Sequence, residues 1–284
     1  HNLSASSKGK VKSMDDDRVC QFCHTSHSAS PKAPMWNRKK SGAIYTLYDS
    51  STLNANPGQP DGTSILCLSC HDGTVALGNT FKNPKSMSFA HSMTKRGNLG
   101  TDLSDDHPIS FTYDSGLAAE DGELKDPNTL AAHILDVNGK LQCTSCHDSH
   151  KDLEGNFLKR SNEFSDLCFT CHDKQYWGNS SHNTSTKTWN GTSPNPWSHL
   201  DSPYSSVAQN GCSNCHDTHN ASGKERLLKR EAEEDNCMDC HNGNTAKNNL
   251  QAEFSKPYRH DVYAYTGIHD PTESDINKTK HVEC

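Results

Sequence analysis

Aliphatic side chains are scarce in this chain. Leu, Ile, Val and Phe supply 41 of its 284 residues. That is about 14 %, below the roughly 20 % under which a polypeptide tends toward disorder. A chain of this length normally buries a sizeable core, and this one lacks the side chains to build it. Long apolar runs are also missing, and none approaches the roughly 20 residues that span a bilayer, so no transmembrane segment is expected. There is no basic stripe, and the formal charge is -7 with histidine neutral, which argues against a nucleic-acid partner. The acidic runs Asp15-Asp16-Asp17 and Glu231 to Asp235 read as solvated surface.

Cysteine and histidine, at 13 and 18 residues, are abundant by contrast. Twelve of the cysteines fall in six copies of Cys-x-x-Cys-His. Motifs 1 to 6 are Cys20/Cys23/His24, Cys67/Cys70/His71, Cys143/Cys146/His147, Cys168/Cys171/His172, Cys212/Cys215/His216 and Cys237/Cys240/His241. Cysteines two residues apart also make zinc sites, and even numbers of cysteines make disulfide frameworks. Neither explains the histidine after every second cysteine. With 18 histidines in 284 residues, six such coincidences have odds on the order of one in ten million, whereas the c-type haem attachment signature accounts for all of them. In that signature the thiols add to the porphyrin vinyl groups, and the adjacent histidine is the proximal iron ligand. The expected cofactor is therefore six haem c, with thioether positions Cys20, Cys23, Cys67, Cys70, Cys143, Cys146, Cys168, Cys171, Cys212, Cys215, Cys237 and Cys240. The proximal ligands are His24, His71, His147, His172, His216 and His241. Six flat apolar groups then supply the missing core, and the haem-free chain is expected to be largely unfolded.

The motifs form three doublets. Cys143 and Cys168 lie 25 residues apart, as do Cys212 and Cys237, while Cys20 and Cys67 are separated by 47. Cys143 to His150 aligns with Cys212 to His219, and Phe157-Leu158-Lys159-Arg160 falls near Leu227-Leu228-Lys229-Arg230. This is an internal repeat. Each leading motif (1, 3 and 5) continues to a second histidine, reading Cys-x-x-Cys-His-x-x-His, and each trailing motif (2, 4 and 6) lacks it. Cys284 follows Cys212 by 72 residues, against 69 from Cys143 to Cys212, and reads as the first cysteine of a seventh motif. The expected segments are 1–125, with the widely spaced first doublet; 126–198, with the second; and 199–284, with the third and a C-terminal stretch. They are expected to form one continuous unit.

Regular structure is expected to be sparse. The fold class read from the chain is an irregular multihaem cytochrome c, mostly loops with short α-helices and few β-strands wrapped around a stacked chain of haems. Asp126-Pro127 predicts a short helix through Leu135, Asn138-Gly139 a tight hairpin turn, and Lys224 to Cys240 the best helix. Residues 178–206 read as loop, and each motif is expected on a short helical turn. Trp36, Trp177, Trp189 and Trp197 are expected to pack on haems.

Twelve histidines lie outside the motifs, so bis-histidine irons are expected, not methionine-ligated ones. His27, His150 and His219 lead as distal ligands. Each stands three residues after a proximal histidine, so it caps a neighbouring haem more readily than its own. His107, in a rigid position before Pro108, follows, with His182, His260 and His1 next. His199 is neutral between roles. His91 and His133 read as surface, and His269 and His281 as ligands for the seventh motif.

Cys20 to Pro31, Asp105-Asp106-His107-Pro108-Ile109-Ser110-Phe111 and His281-Val282-Glu283-Cys284 resemble recurrent phrases of the doubled-motif multihaem cytochromes c of metal-reducing bacteria. The resemblance covers nearly the whole chain. It implies electron transfer along six haems, and in some members assembly into extracellular filaments in which a histidine from one subunit ligates a haem in the next. Carried over, His27 or His1 would be that bridge. The implied partners are further copies of this chain, other redox proteins and extracellular electron acceptors. Haem attachment outside the cytoplasmic membrane implies an exported protein, extracellular or at the outer cell surface, alternatively periplasmic. The alternatives are a monomeric periplasmic shuttle and a multihaem reductase of the nitrite, hydroxylamine or tetrathionate type. All six motifs are standard, which favours a carrier with no catalytic residues over an enzyme.

Overall fold

The computed structural model describes residues 1–27, 29, 35–80, 89, 93, 97–259 and 262. Among them, helices are brief: α1 (Gly62–His71), α2 (Ser115–Asp121), α3 (Cys143–Cys146), α4 (Ser181–Thr184), α5 (Val207–Asn210), α6 (Glu233–His241) and α7 (Leu250–Phe254). The one sheet joins β1 (Phe111–Thr112) to β2 (Lys140–Leu141), antiparallel, with Phe111 opposite Leu141. The rest is loop and 3-10 turn, in keeping with an irregular fold. No helix of the described residues is long and apolar enough to cross a membrane.

Every motif lies on a helical turn. Motifs 2, 3 and 6 lie on α1, α3 and α6, and motifs 1, 4 and 5 on the 3-10 turns Val19–Phe22, Cys168–Thr170 and Gly211–Asn214. The turn brings each motif histidine back over its first cysteine. The His24, His147, His172 and His216 amides donate to the carbonyls of Cys20, Cys143, Cys168 and Cys212 at 2.8–3.1 Å.

The repeat extends beyond the motifs. After each leading motif the chain returns to pair with its histidine, His24 with Trp36, His147 with Leu158 and His216 with Leu228. The same amide closes each return: Asn37 to the Cys23 carbonyl, Lys159 to Cys146 and Lys229 to Cys215, at 2.8–2.9 Å. The first doublet thus shares the local backbone of the other two despite its wider spacing. Reversal requires left-handed residues just before the return, Met35 (φ 57°), Phe157 (58°) and Leu227 (54°).

Two helix expectations are corrected. The Lys224–Cys240 helix is broken, because Arg226 and Leu227 adopt φ of 56° and 54°, where a right-handed helix cannot continue. Only α6 survives, after a 3-10 turn at Glu225–Leu227. The helix from Asp126 shrinks to the 3-10 turn Pro127–Thr129, capped by the Asp126 carboxylate on the Asn128 amide at 2.8 Å. Asn138-Gly139 does form a tight turn, closed by the Gly139 amide on the Asp136 carbonyl at 3.0 Å, but the strand that follows pairs with Phe111–Thr112. Residues 178–206, expected as loop, also carry α4.

Side-chain burial follows the poor composition. The apolar clusters are small: Tyr45, Ile65, Leu68 and Leu103; Phe111, Tyr113, Leu117 and Leu141; and Tyr48, Ala221 and Leu227. Between them the chain uses buried hydrogen bonds. The Gln142 amide donates to Asp61 (2.8 Å) and Asp136 (3.0 Å) and accepts from Ser64 (2.5 Å) and Ser110 (3.1 Å), tying α1, β2 and α3 at one point.

Candidate functional site: six motifs in a row

The doublets are joined by a repeated contact. The Ser64 hydroxyl, three residues before Cys67, accepts from the Cys143 amide at 3.0 Å, and Ser165, three before Cys168, accepts from the Cys212 amide at 2.7 Å. At the same two junctions the thiols of Cys67 and Cys143, and of Cys168 and Cys212, are hydrogen-bonded to each other. That bond raises Cys67 and Cys168 and lowers Cys143 and Cys212. Within doublets it is the second cysteines that approach. Burial raises Cys70, Cys146 and Cys240, each to about 11, and Cys23, Cys171 and Cys215 respectively lie in electrostatic reach of them. Motifs adjacent in the sequence are therefore neighbours in space, with first cysteines hydrogen-bonded between doublets and second cysteines in electrostatic reach of each other within them.

Five motif histidines face a histidine from elsewhere in the chain. The ring centres are 6.0 Å apart for His71 and His1, 6.1 Å for His24 and His150, and 6.3 Å for His172 and His107, His147 and His219, and His241 and His182. An imidazole nitrogen binds a first-row metal at about 2 Å and lies about 1 Å from its own ring centre, so two rings on one iron have centres about 6 Å apart. The spacing fits an iron between each pair.

The rings are aimed by their other nitrogen. Nδ1 donates to a backbone carbonyl in His71 (Gly97, 2.7 Å), His147 (Asn156, 2.9 Å), His216 (Arg226, 2.9 Å) and His107 (Pro108, 3.0 Å). This fixes the tautomer and leaves Nε2 bare for a metal. Burial also lowers His71, His107, His147, His216 and His241, and takes His172 to about 4, so these rings are held in the neutral form that ligates. His219 alone of the paired rings is raised. Burial is the largest influence and opposes its charge, but the hydrogen bond from its Nδ1 to Asp106 (2.9 Å) and the negative charge of that carboxylate, with smaller help from Cys143 and Asp217, together outweigh it.

The pairings follow a rule that sequence did not reveal. The extra histidines of the second and third leading motifs each face the proximal histidine of the leading motif one doublet earlier: His150 of motif 3 faces His24, and His219 of motif 5 faces His147. His1 faces His71 while stacked on Phe157 at 4.1 Å. His27, the extra histidine of motif 1, is exposed. Among the described residues no histidine ring faces His27 or His216 within this chain. His199 is turned elsewhere, its Nε2 donating to the Ser213 carbonyl at 2.9 Å. His260, His91, His269, His281 and Cys284 lie outside the described residues.

The tryptophans divide. Trp36 presents its edge to the His24 ring at 5.8 Å, and Trp197 is buried with its indole N–H on Asn214 at 2.8 Å. Trp177 leans on Phe169 at 6.3 Å, and the Trp189 indole N–H is spent on the Thr192 carbonyl at 2.8 Å. Sequence reasoning passed over Asp106 and Arg38. Arg38 is fully buried, and its guanidinium donates to the carbonyls of Leu77 (2.6 Å), Ser69 (3.0 Å) and Ala76 (3.2 Å).

The doubled CXXCH motif family matches residues 136–176 and 205–247, which hold the second and third doublets. The match supports a multihaem c-type cytochrome. With it come covalently attached haem c and a role in electron transfer. The residues fit the group: thiol pairs on helical turns, a proximal ring beside each, three of them aimed through Nδ1, and a second ring at iron-spanning distance in five of six cases. Among the described residues no three His, Cys, Asp or Glu side chains converge as a zinc site would need, and no disulfide joins the twelve motif cysteines. No curated protein matches the chain.

Proposed function

We propose that the protein carries electrons along six bis-histidine haems and does so as a subunit of an extracellular filament. Haem c supplies a one-electron ferric/ferrous couple, and the chain's residues do the rest. The proximal ligands are the six motif histidines, and the distal ligands are His150, His1, His219, His107 and His182 for motifs 1, 2, 3, 4 and 6. Two strong ligands hold each iron in nearly the same geometry in both oxidation states, so little reorganisation accompanies transfer. Linear motif order keeps successive groups adjacent.

The observation that carries the filament reading is the unmatched pair. Under the pairing rule, His27 seeks the leading motif of a preceding doublet, and motif 5 awaits the extra histidine of a following one. His27 of one copy on the iron at His216 of another satisfies both and continues the row across the joint. His1 is the weaker bridge, since it already faces His71. The test is the His27→Ala variant, followed by electron microscopy and sedimentation. Filaments of the unmodified chain that shorten to single subunits, with one iron turning high-spin, fit the reading. A monodisperse unmodified chain with six low-spin irons overturns it.

The lack of an opposed histidine at His216 among the described residues also favours a second reading, a reductase with an open iron at motif 5. Carbon monoxide separates the two. A filament takes up little of it, whereas a reductase binds it tightly at one iron in every state of assembly.

A further inference from the structure

The ring nitrogens that aim the histidines are not all treated alike. His71, His147, His216 and His107 donate Nδ1–H to neutral carbonyls. His219 donates to a carboxylate, Asp106 Oδ1, at 2.9 Å. Asp106 is 3 % exposed. Its Oδ1 also accepts from the Asn220 amide at 3.3 Å, and its Oδ2 is buried with no hydrogen-bond partner among the described residues. The nearby Lys224 is committed to Asp102 at 3.0 Å and to Ser104. The one ion pair of Asp106 among the described residues is with His219. The other histidine–carboxylate approach, His150 to Asp148, is 3.8 Å long with the ring 76 % exposed, too far for a hydrogen bond.

The loop holding Asp106 is pinned to the segment after motif 5. The His107 amide donates to Thr218 at 3.0 Å, and the Ala221 amide to Asp105 at 2.9 Å. One short loop thereby presents His107 to motif 4 and Asp106 to the ring facing motif 3.

We propose that Asp106 makes the iron held by His147 and His219 the lowest-potential centre of the row. This rests on the reading of His219 as the distal ligand at motif 3. A ring that donates Nδ1–H to a buried carboxylate gains imidazolate character and becomes a stronger donor to the metal. Ferric iron gains more from that than ferrous iron. The added electron also enters beside a fixed negative charge in a poorly screened site. The step is one electron in at the iron, with no bond made or broken and the Nδ1 proton kept on His219. An electron moving along the row must therefore cross a step at the third position.

The test is spectroelectrochemical titration of the six-haem protein and its Asp106→Asn variant, which keeps an oxygen acceptor for Nδ1–H and removes the charge. The expected result is one midpoint potential raised by about tenfold or more in the reduction equilibrium, ~59 mV per tenfold for one electron. The other five stay in place, and one low-spin EPR signal shifts. A folded six-haem variant in which no wave moves, or in which all six move together, overturns the proposal. If that variant fails to fold, His219→Ala decides. Its remaining low-spin irons should lack the lowest wave of the unmodified protein, and loss of a higher wave overturns the proposal. His219→Ala also separates the two levels of argument. If all six irons stay low-spin, the ligand reading falls and takes the proposal with it; if one turns high-spin while Asp106→Asn moves nothing, only the proposal falls.

Discussion

After motif 1 the chain returns with Asn37 and Arg38; after motif 5 it returns with Lys229 and Arg230, on the same backbone. Doublet 1 buries its cation without a carboxylate among the described residues. Arg38 is fully enclosed, bonded to three carbonyls, with its Nε left over among the described residues. Doublet 3 buries a cation and neutralises it. Lys229 is 2 % exposed, and its ammonium lies 3.1 Å from Asp239. Both cations lie in electrostatic reach of the second cysteines of their doublet, Arg38 of Cys23 and Cys70, Lys229 of Cys215 and Cys240. One repeat has thus been given two electrostatic characters. The doublets also differ in ligation, because His24 has an opposed ring and His216 has none among the described residues.

The largest expected effect tests ligation. His150→Ala should turn one iron high-spin and create a carbon monoxide site at motif 1, while the same change at His199 should leave all irons as they were. Absorption spectra of the reduced protein with and without carbon monoxide read this directly. An unchanged spectrum for His150→Ala would place doublet 1 with doublet 3 and erase the difference.

Next comes the buried charge. A unit charge about 10 Å from an iron, at an effective dielectric near 20, is worth roughly 1.5 kcal/mol, close to tenfold in a reduction equilibrium. Arg38→Gln should lower two of the six midpoint potentials by about that much, whereas Arg38→Lys should leave them near their original values. Lys229→Gln should lower the potentials of doublet 3 by much less, since Asp239 already offsets that charge. Equal shifts in the two variants would show that neutralisation by Asp239 is ineffective. The mirror experiment is Asp239→Asn, which uncovers Lys229 and should raise the doublet 3 potentials by a few-fold, with Arg230 also freed.

The smallest effect is spectroscopic. The His24 and His150 ring planes meet at 14°, and those of His241 and His182 at 73°. Near-parallel rings give rhombic low-spin EPR signals and near-perpendicular rings give signals with one large g value. His150→Ala should therefore remove a rhombic signal, and His182→Ala a large-g one.

Much of the site could be read in the sequence, for a definite reason. Haem attachment is local chemistry, so Cys20 to His24 carries its meaning within five residues. His150 and His219 were legible because a histidine three residues past a proximal ligand is turned away from its own haem. Their targets were not legible, because His150 meets His24 only through a fold with little hydrophobic patterning. Asp106 was passed over beside His107, since a carboxylate acting on a ring 113 residues away leaves no local mark. The failed helix after Lys224 has the same root. Good helix formers at Arg226 and Leu227 are overruled by the reversal that returns the chain to His216.

The backward reach of each extra histidine bears on how the protein is made. On the proposed ligation, a doublet leaving the translocation machinery would be incomplete at its leading iron until the next doublet has been threaded and its histidine brought into place. Maturation would then run as a relay from the N-terminus, each unit releasing its predecessor from an open, reactive state. On the proposed function, the leading iron of motif 5, which no described histidine faces, is where assembly with another molecule would take over from synthesis.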